Sequence, residues 1–209
     1  MALGDGPFAL PPRVGIADDL QHLVPAPVQV LTQHGRPGHV PPPALADVRI
    51  EPGICRITLN RPDKMNALSA AMVEQLHDAI DAAHAAGCNL IILRGEGRNF
   101  SAGFDFSDID AQTDGDLLLR FVRIEQLLQK LASSPSLTVG LAHGKNFGAG
   151  VDLYAACRLR YCAPESTFRM PGLKFGLVLG SRRFGELVGR ETARRILEQA
   201  RTFDADEAR

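Results

Sequence analysis

Two glycine-bearing stretches carry the residues best suited to chemistry, Asn99-Phe-Ser-Ala-Gly-Phe-Asp-Phe106 and His143-Gly-Lys-Asn-Phe-Gly-Ala-Gly150. Each follows a short apolar run, where the strands of an open α/β sheet end and ligands bind. In the first, Gly103 lets the chain turn tightly and leaves the amide N–H of Phe104 free to face a crevice. In the second, Gly148-Ala149-Gly150 opens a helix, whose first N–H groups lack intrahelical partners and carry the positive end of its dipole. Two such N–H groups converging on one point would bind a developing oxyanion. Either stretch alone favours the plainer reading, small residues that permit close helix–sheet packing; their joint occurrence and spacing are what favour the oxyanion reading. Asp152, in the first helical turn after the second stretch, is placed to complement the helix dipole. Arg182 and Arg183, read as lying in a loop, are able to pair with a carboxylate or phosphate, or to remain solvated surface. His77 and His84 sit seven apart on a helix among polar positions and do not read as a metal site.

Around these stretches, strand and helix patterns alternate. Arg56-Ile-Thr-Leu-Asn60 reads as a strand, stopped by Asn60-Arg-Pro-Asp63. Ser69 offers an N-cap to a helix with Met72, Val73, Leu76, Ile80 and Ala83 on one face, closed by Gly87. Leu90 to Leu93 is a short, continuously apolar strand, as in a sheet covered on both faces. Leu117, Phe121, Ile124, Leu128 and Leu131 fall at helical spacing. Then follow a strand at Leu137 to Ala142, a helix at Val151 to Cys157 and a strand at Arg158 to Cys162. This order predicts an α/β fold with βαβ crossovers and a largely parallel sheet. Residues 1–46 differ: they hold nine of the fourteen prolines, which forbid long helices or central strands, and read as an N-terminal arm. Asp204-Ala-Asp-Glu207 has the form of a capping box, a helix start signal two residues before the sequence stops, and the expectation is of a C-terminally incomplete core over 47–209.

Composition excludes more than it identifies. Lys plus Arg (23) nearly balances Asp plus Glu (24), so there is no excess positive charge to bind nucleic acid. Cys55, Cys88, Cys157 and Cys162 form no CxxC or zinc-type spacing and read as reduced thiols. No secretory signal or membrane-spanning run is read, and a cytoplasmic location is expected.

Taken in order, Ile57-Thr-Leu-Asn-Arg-Pro-Asp-Lys-Met-Asn-Ala-Leu68, Asn99-Phe-Ser-Ala-Gly-Phe-Asp105 and His143-Gly-Lys-Asn-Phe-Gly-Ala-Gly-Val-Asp152 resemble the enoyl-CoA hydratase/isomerase (crotonase) superfamily, from about Val48 to Arg209. The resemblance implies a spiral of ββα units, here without its C-terminal helical part, assembled as a trimer or hexamer. It implies an acyl-CoA substrate, with coenzyme A as part of that substrate and no separate cofactor or metal. By resemblance, the amides of Phe104 and Ala149 hold the thioester carbonyl, and Lys64, Ala67 and Ala102 lie where the adenine end of CoA binds. Asp105, next to the first of these amides, is a candidate substrate-side residue or a cap for the following turn. Hydratases of the family use two glutamates. Asp152 stands at the first position and Gly172 at the second. Enoyl-CoA hydration is the nominal activity implied; isomerisation, decarboxylation, thioester hydrolysis and non-catalytic CoA binding are the alternatives.

Overall fold

The computed structural model describes residues 44–177 and 179–208. Its main sheet has five strands in the order β1-β2-β3-β4-β6. β1 (Ala46–Glu51) and β2 (Ile54–Leu59) form an antiparallel hairpin around Pro52-Gly53, with Val48 opposite Ile57. β3 (Leu90–Gly95), β4 (Leu137–Ala142) and β6 (Leu159–Cys162) then add in parallel. The parallel strands are joined by α1 (Ala70–Ala85), α2 (Asp114–Ala132) and α3 (Ala149–Ala155). Parallel pairing places the C-terminal ends of β2, β3 and β4 at one edge, so the loops after all three meet there.

The core follows the sequence pattern. Ile57, Leu59, Leu76, Ile80, Ile91 and Leu93 are buried between α1, α2 and the sheet; each such side chain stabilises the fold by roughly 1.5–3 kcal/mol. Ser69 caps α1, its hydroxyl accepting from the Met72 N–H at 3.2 Å. α3 packs close on β4 because Gly140 has no side chain; a Cβ there would lie 3.0 Å from the Tyr154 ring. Without that approach the Gly148-Ala149-Gly150 turn would stand off the sheet.

Several boundaries differ from the sequence reading. Regular structure starts at Ala46, the last residue of the expected arm, because hairpin pairing with β2 extends the edge strand. α2 begins at Asp114, where Thr113 and Asp116 form a reciprocal capping box that apolar periodicity does not register. α3 starts at Ala149 and ends at Ala155, two residues earlier than expected at each end. A second sheet, β5-β7-β8, is built from β5 (Lys145–Phe147), β7 (Thr167–Arg169) and β8 (Thr202–Asp204). Arg182 and Arg183 lie on a helix, α4 (Ser181–Val188), followed by α5 (Arg190–Gln199). His77 is buried, its Nε2 3.1 Å from the Arg123 carbonyl oxygen. Asp204 makes one capping bond, from the Glu207 N–H at 3.0 Å, but β8 runs into a turn there rather than a helix. The Pro-rich arm expected over 1–46 lies outside the described residues up to 43, and its last residue belongs to β1. Among the described residues no helix is long and apolar enough to cross a membrane.

Candidate active site

One side chain ties the loop after β2 to the loop after β3. Asn66, in left-handed conformation with φ +54°, accepts from the Arg61 N–H at 2.8 Å. Its carboxamide donates to the carbonyls of Glu96 at 2.9 Å and Asn99 at 2.8 Å. Asparagine tolerates this backbone region better than most residues. Ser101 continues the network: its hydroxyl donates to the Asn66 carbonyl at 2.9 Å and accepts from the Gly103 N–H at 3.1 Å. The Phe147 N–H then donates to the Ser101 carbonyl at 3.0 Å, which joins the two glycine turns directly.

The turns touch closely enough to require glycine. Gly103 has φ +82°, and a Cβ there would lie 2.3 Å from the Phe147 oxygen and 3.0 Å from the Ala149 nitrogen. A Cβ on Gly150 would lie 2.5 Å from the Ser101 oxygen. Phe104 and Ala149 thereby line one pocket, and neither backbone N–H donates to another group among the described residues.

That pocket, a cavity of about 80 Å³, is walled by Phe104, Phe106, Phe121, Met170 and Phe175. The Phe104 ring stacks on Phe121 at 4.8 Å and meets Phe106 edge-on at 5.0 Å. Arg120, buried on α2, lies over the other side of the assembly with its guanidinium carbon 4.0 Å from the Phe104 centroid, and donates to the Asp105 carbonyl at 2.7 Å. It thus clamps the turn that carries the Phe104 amide, adding a cation–π contact to a buried hydrogen bond.

Asp152 is the one charged side chain lining the pocket among the described residues. It is 5% exposed, and its Oδ1 has no hydrogen-bond partner. Burial pushes its carboxyl well above the usual carboxylate range; the negative charge of Glu125 adds to the rise and Arg183 opposes it. Gly180, with φ +61°, closes over the carboxyl so tightly that a Cβ would come within 2.2 Å of Oδ1. Gly172 lines the same pocket from a 3₁₀ turn and offers no carboxylate there.

The structure divides the residues singled out from the sequence. Phe104, Ala149, Asp152 and Ala102 share the pocket, and the Ala102 N–H is taken by the Met65 carbonyl at 2.8 Å. Lys64 and Ala67 do not line it: Lys64 is exposed on the 3₁₀ turn Pro62–Lys64, and Ala67 is buried behind it. The Asp105 carboxylate is turned away from the pocket's chemistry, ion-paired with Arg61 and accepting from the Ser107 N–H at 2.9 Å. Burial alone would raise its pKa, but the bonds from Ser107 and Arg61 outweigh this and hold it at about 2. It therefore braces the turn after Phe104. His143 bonds to the Gly97 carbonyl at 3.0 Å, a structural contact. Arg182 pairs with Glu186 on the surface, whereas Arg183 turns inward to Glu125 at 2.9 Å. Arg120 and Glu125 were not singled out from the sequence; both lie on α2 between core positions, Arg120 directly before Phe121 and Glu125 directly after Ile124.

Comparison with known proteins agrees with this architecture. The family model described as Enoyl-CoA hydratase/isomerase matches residues 49–209. A probable enoyl-CoA hydratase, EchA6 of Mycobacterium bovis, is 36% identical over 157 residues, covering 73% of this chain and 62% of that protein. The human mitochondrial Delta(3,5)-Delta(2,4)-dienoyl-CoA isomerase is 28% identical over 171 residues, covering 74% of this chain and 52% of that protein. A crystal structure from Bordetella parapertussis, described as an enoyl-CoA hydratase/isomerase, is 62% identical with a TM-score of 0.78, covering 79% of this chain and 69% of that one. The chain thus spans about 62% of the length of the first curated relatives it matches. The two glycine turns that line the pocket fall within the matched residues, and the chain belongs to the enoyl-CoA hydratase/isomerase family.

Proposed function

We propose that this protein acts on a CoA thioester by holding its carbonyl oxygen between the Phe104 and Ala149 amides and moving a proton with Asp152. The observation that carries the reading is the union, in one apolar pocket, of two backbone N–H groups without partners and a single buried carboxyl. Two donors aimed at a thioester oxygen stabilise the enolate formed when a proton leaves Cα; each is worth about 2.7–4 kcal/mol in comparable sites. The raised proton affinity of Asp152 suits a group that must both take and return a proton. Lys64, Ala67 and Ala102 follow the resemblance as the region of the CoA adenine end, with CoA entering only as part of the substrate. The trimer or hexamer implied by the resemblance is carried forward as the expected assembly.

With one carboxyl in the pocket, double-bond isomerisation is the simplest reaction. Asp152 as carboxylate removes a Cα proton, the electron pair passes into the thioester to give the enolate, and the same proton is returned at Cγ as the double bond moves into conjugation. Hydration is the second reading, favoured by the name of the EchA6 relative. There Asp152 would take a proton from water as its oxygen adds to Cβ, and return it at Cα.

The two readings separate with two substrates. The protein is given a 3-enoyl-CoA and a 2-enoyl-CoA, and the conjugated thioester is followed by its absorbance. Appearance of the conjugated product from the first supports isomerisation; its loss from the second supports hydration. Asp152→Asn, nearly isosteric, is expected to reduce either rate about 10²–10⁴-fold while leaving the fold intact. CoA-thioester binding without turnover of either would leave a non-catalytic binding protein and defeat both.

A further inference from the structure

Behind Asp152, away from the aromatic pocket, three helices bring together groups that the proposed reaction does not itself use. Glu125 of α2 and Arg183 of α4 pair at 2.9 Å between Oε1 and Nη2, and Gln129 Oε1 accepts from the same Nη2 at 3.3 Å. The pair leaves two buried atoms without partners, Glu125 Oε2 and Arg183 Nη1, and the equally unpartnered Asp152 Oδ1 of α3 lies against Gly180, which lines the same cleft as the pair. Buried donors and acceptors are nearly always satisfied, so three orphans at one helix junction call for an explanation. Glu125 and Arg183 line a solvent-facing cleft of about 660 Å³ together with Gln129, Gly180 and Ser181. Gly180 is the thin partition: it lines this cleft and has no side chain to separate it from the Asp152 carboxyl. Ser181 lines both the cleft and the aromatic pocket.

We propose that Glu125 and Arg183 are positioning residues for Asp152, forming with it a cluster of two carboxylates and one guanidinium that holds a single proton and exchanges it through the cleft. Charge counting gives the reason. With both carboxyls ionised the cluster is −1; with one proton it is neutral, which the burial of the Asp152 carboxyl favours. Arg183 pairs directly with Glu125, while Asp152 makes no ion pair of its own among the described residues. Glu125 is half-exposed and faces the cleft, which gives the otherwise sealed Asp152 a route to solvent protons. Of the other elements packed on α3, β4 has no titratable side chain and β5 contributes only the exposed Lys145; Arg182 on α4 is engaged with Glu186, Arg120 on α2 with the Asp105 carbonyl, and Arg169 on β7 with the Ala200 carbonyl. The assignment of a role in turnover rests on the acyl-CoA reading above; the coupling of the three groups does not.

The test is a pH titration of Asp152 in the free protein, read from the carbon-13 signal of labelled aspartate carboxyls and assigned by its disappearance in Asp152→Asn. The wild-type midpoint is expected well above the ordinary carboxylate value of about 4; a wild-type midpoint at or below that value overturns the proposal without any further variant. Glu125→Gln removes the opposing negative charge and is expected to lower the midpoint by about one unit or more, a tenfold loss of proton affinity. Arg183→Met is expected to raise it, and Arg183→Lys to return it toward wild type. Midpoints unmoved in folded Glu125→Gln and Arg183→Met, or moved in the same direction, also overturn it. In an active enzyme the pH–rate profile shifts with the same signs. Because the titration needs no substrate, inactivity of the wild type would defeat the acyl-CoA reading while leaving this result to stand or fall by itself.

Discussion

Asp152 has two very different neighbourhoods. Toward Phe104 and Ala149 its surroundings are aromatic rings and backbone, with shape fixed by glycines that no other residue could replace. Toward α2 and α4 they are ionised and incompletely bonded, with Glu125 and Arg183 in half-buried positions beside a cleft. The first neighbourhood supplies fixed dipoles, which need rigidity to be useful. The second supplies charge, whose value depends on where one proton sits. The contrast teaches that the site's geometry and its protonation are set by separate parts of the molecule, and so should respond separately to substitution.

The sharpest way to break the rigid side alone is Gly103→Ala. A methyl 2.3 Å from the Phe147 oxygen, at φ +82°, forces the two turns apart. Loss of one donor geometry predicts about a 10²–10³-fold fall in turnover, with about 2–4 kcal/mol of destabilisation measured by denaturant unfolding. The pH midpoint of Asp152 should move far less than in Glu125→Gln. A smaller effect is expected from Arg120→Met, which removes the contact at 4.0 Å over Phe104 and the donor to the Asp105 carbonyl. The expected cost is about 1–3 kcal/mol of stability, with binding of the thioester weakened and the pH profile unchanged. Retention of wild-type stability and binding would show that the Phe104 turn needs no clamp.

The smallest effect concerns Asp105. Its folded-state pKa of about 2 lies below the unfolded value of about 3.8. It therefore contributes stability that is complete above the unfolded value and is lost as pH falls through the folded one. Wild type should lose stability between about pH 4 and pH 2 more steeply than Asp105→Asn, as read from thermal unfolding. Equal slopes would mean that the bonds from Ser107 and Arg61 add nothing on folding.

Legibility of the fold followed the range of the interactions involved. Ser69, Gly87 and the limits of β4 were readable because caps and short apolar runs act within a few residues. The second sheet was not, since β5, β7 and β8 are three residues each and too short to show a period. Arg183 illustrates the same limit at the site. Its type was noticed, but its partner Glu125 lies 58 residues away, and no local pattern connects them. Treated as loop residues, Arg182 and Arg183 looked equivalent; on α4 they point to different surroundings, one to solvent and one to α2.

The sequence by itself determined the two glycine turns, the carboxyl at Asp152 and the absence of one at Gly172, because these are matters of residue type and short spacing. Only the tertiary structure decided that Asp105 braces a turn, that Arg120 clamps Phe104, and that Asp152 is shared between an apolar pocket and a charged cluster. Those outcomes depend on which helix faces are pressed together across the sheet. Burial and unpaired charge are properties of that packing, and no stretch of chain carries them alone.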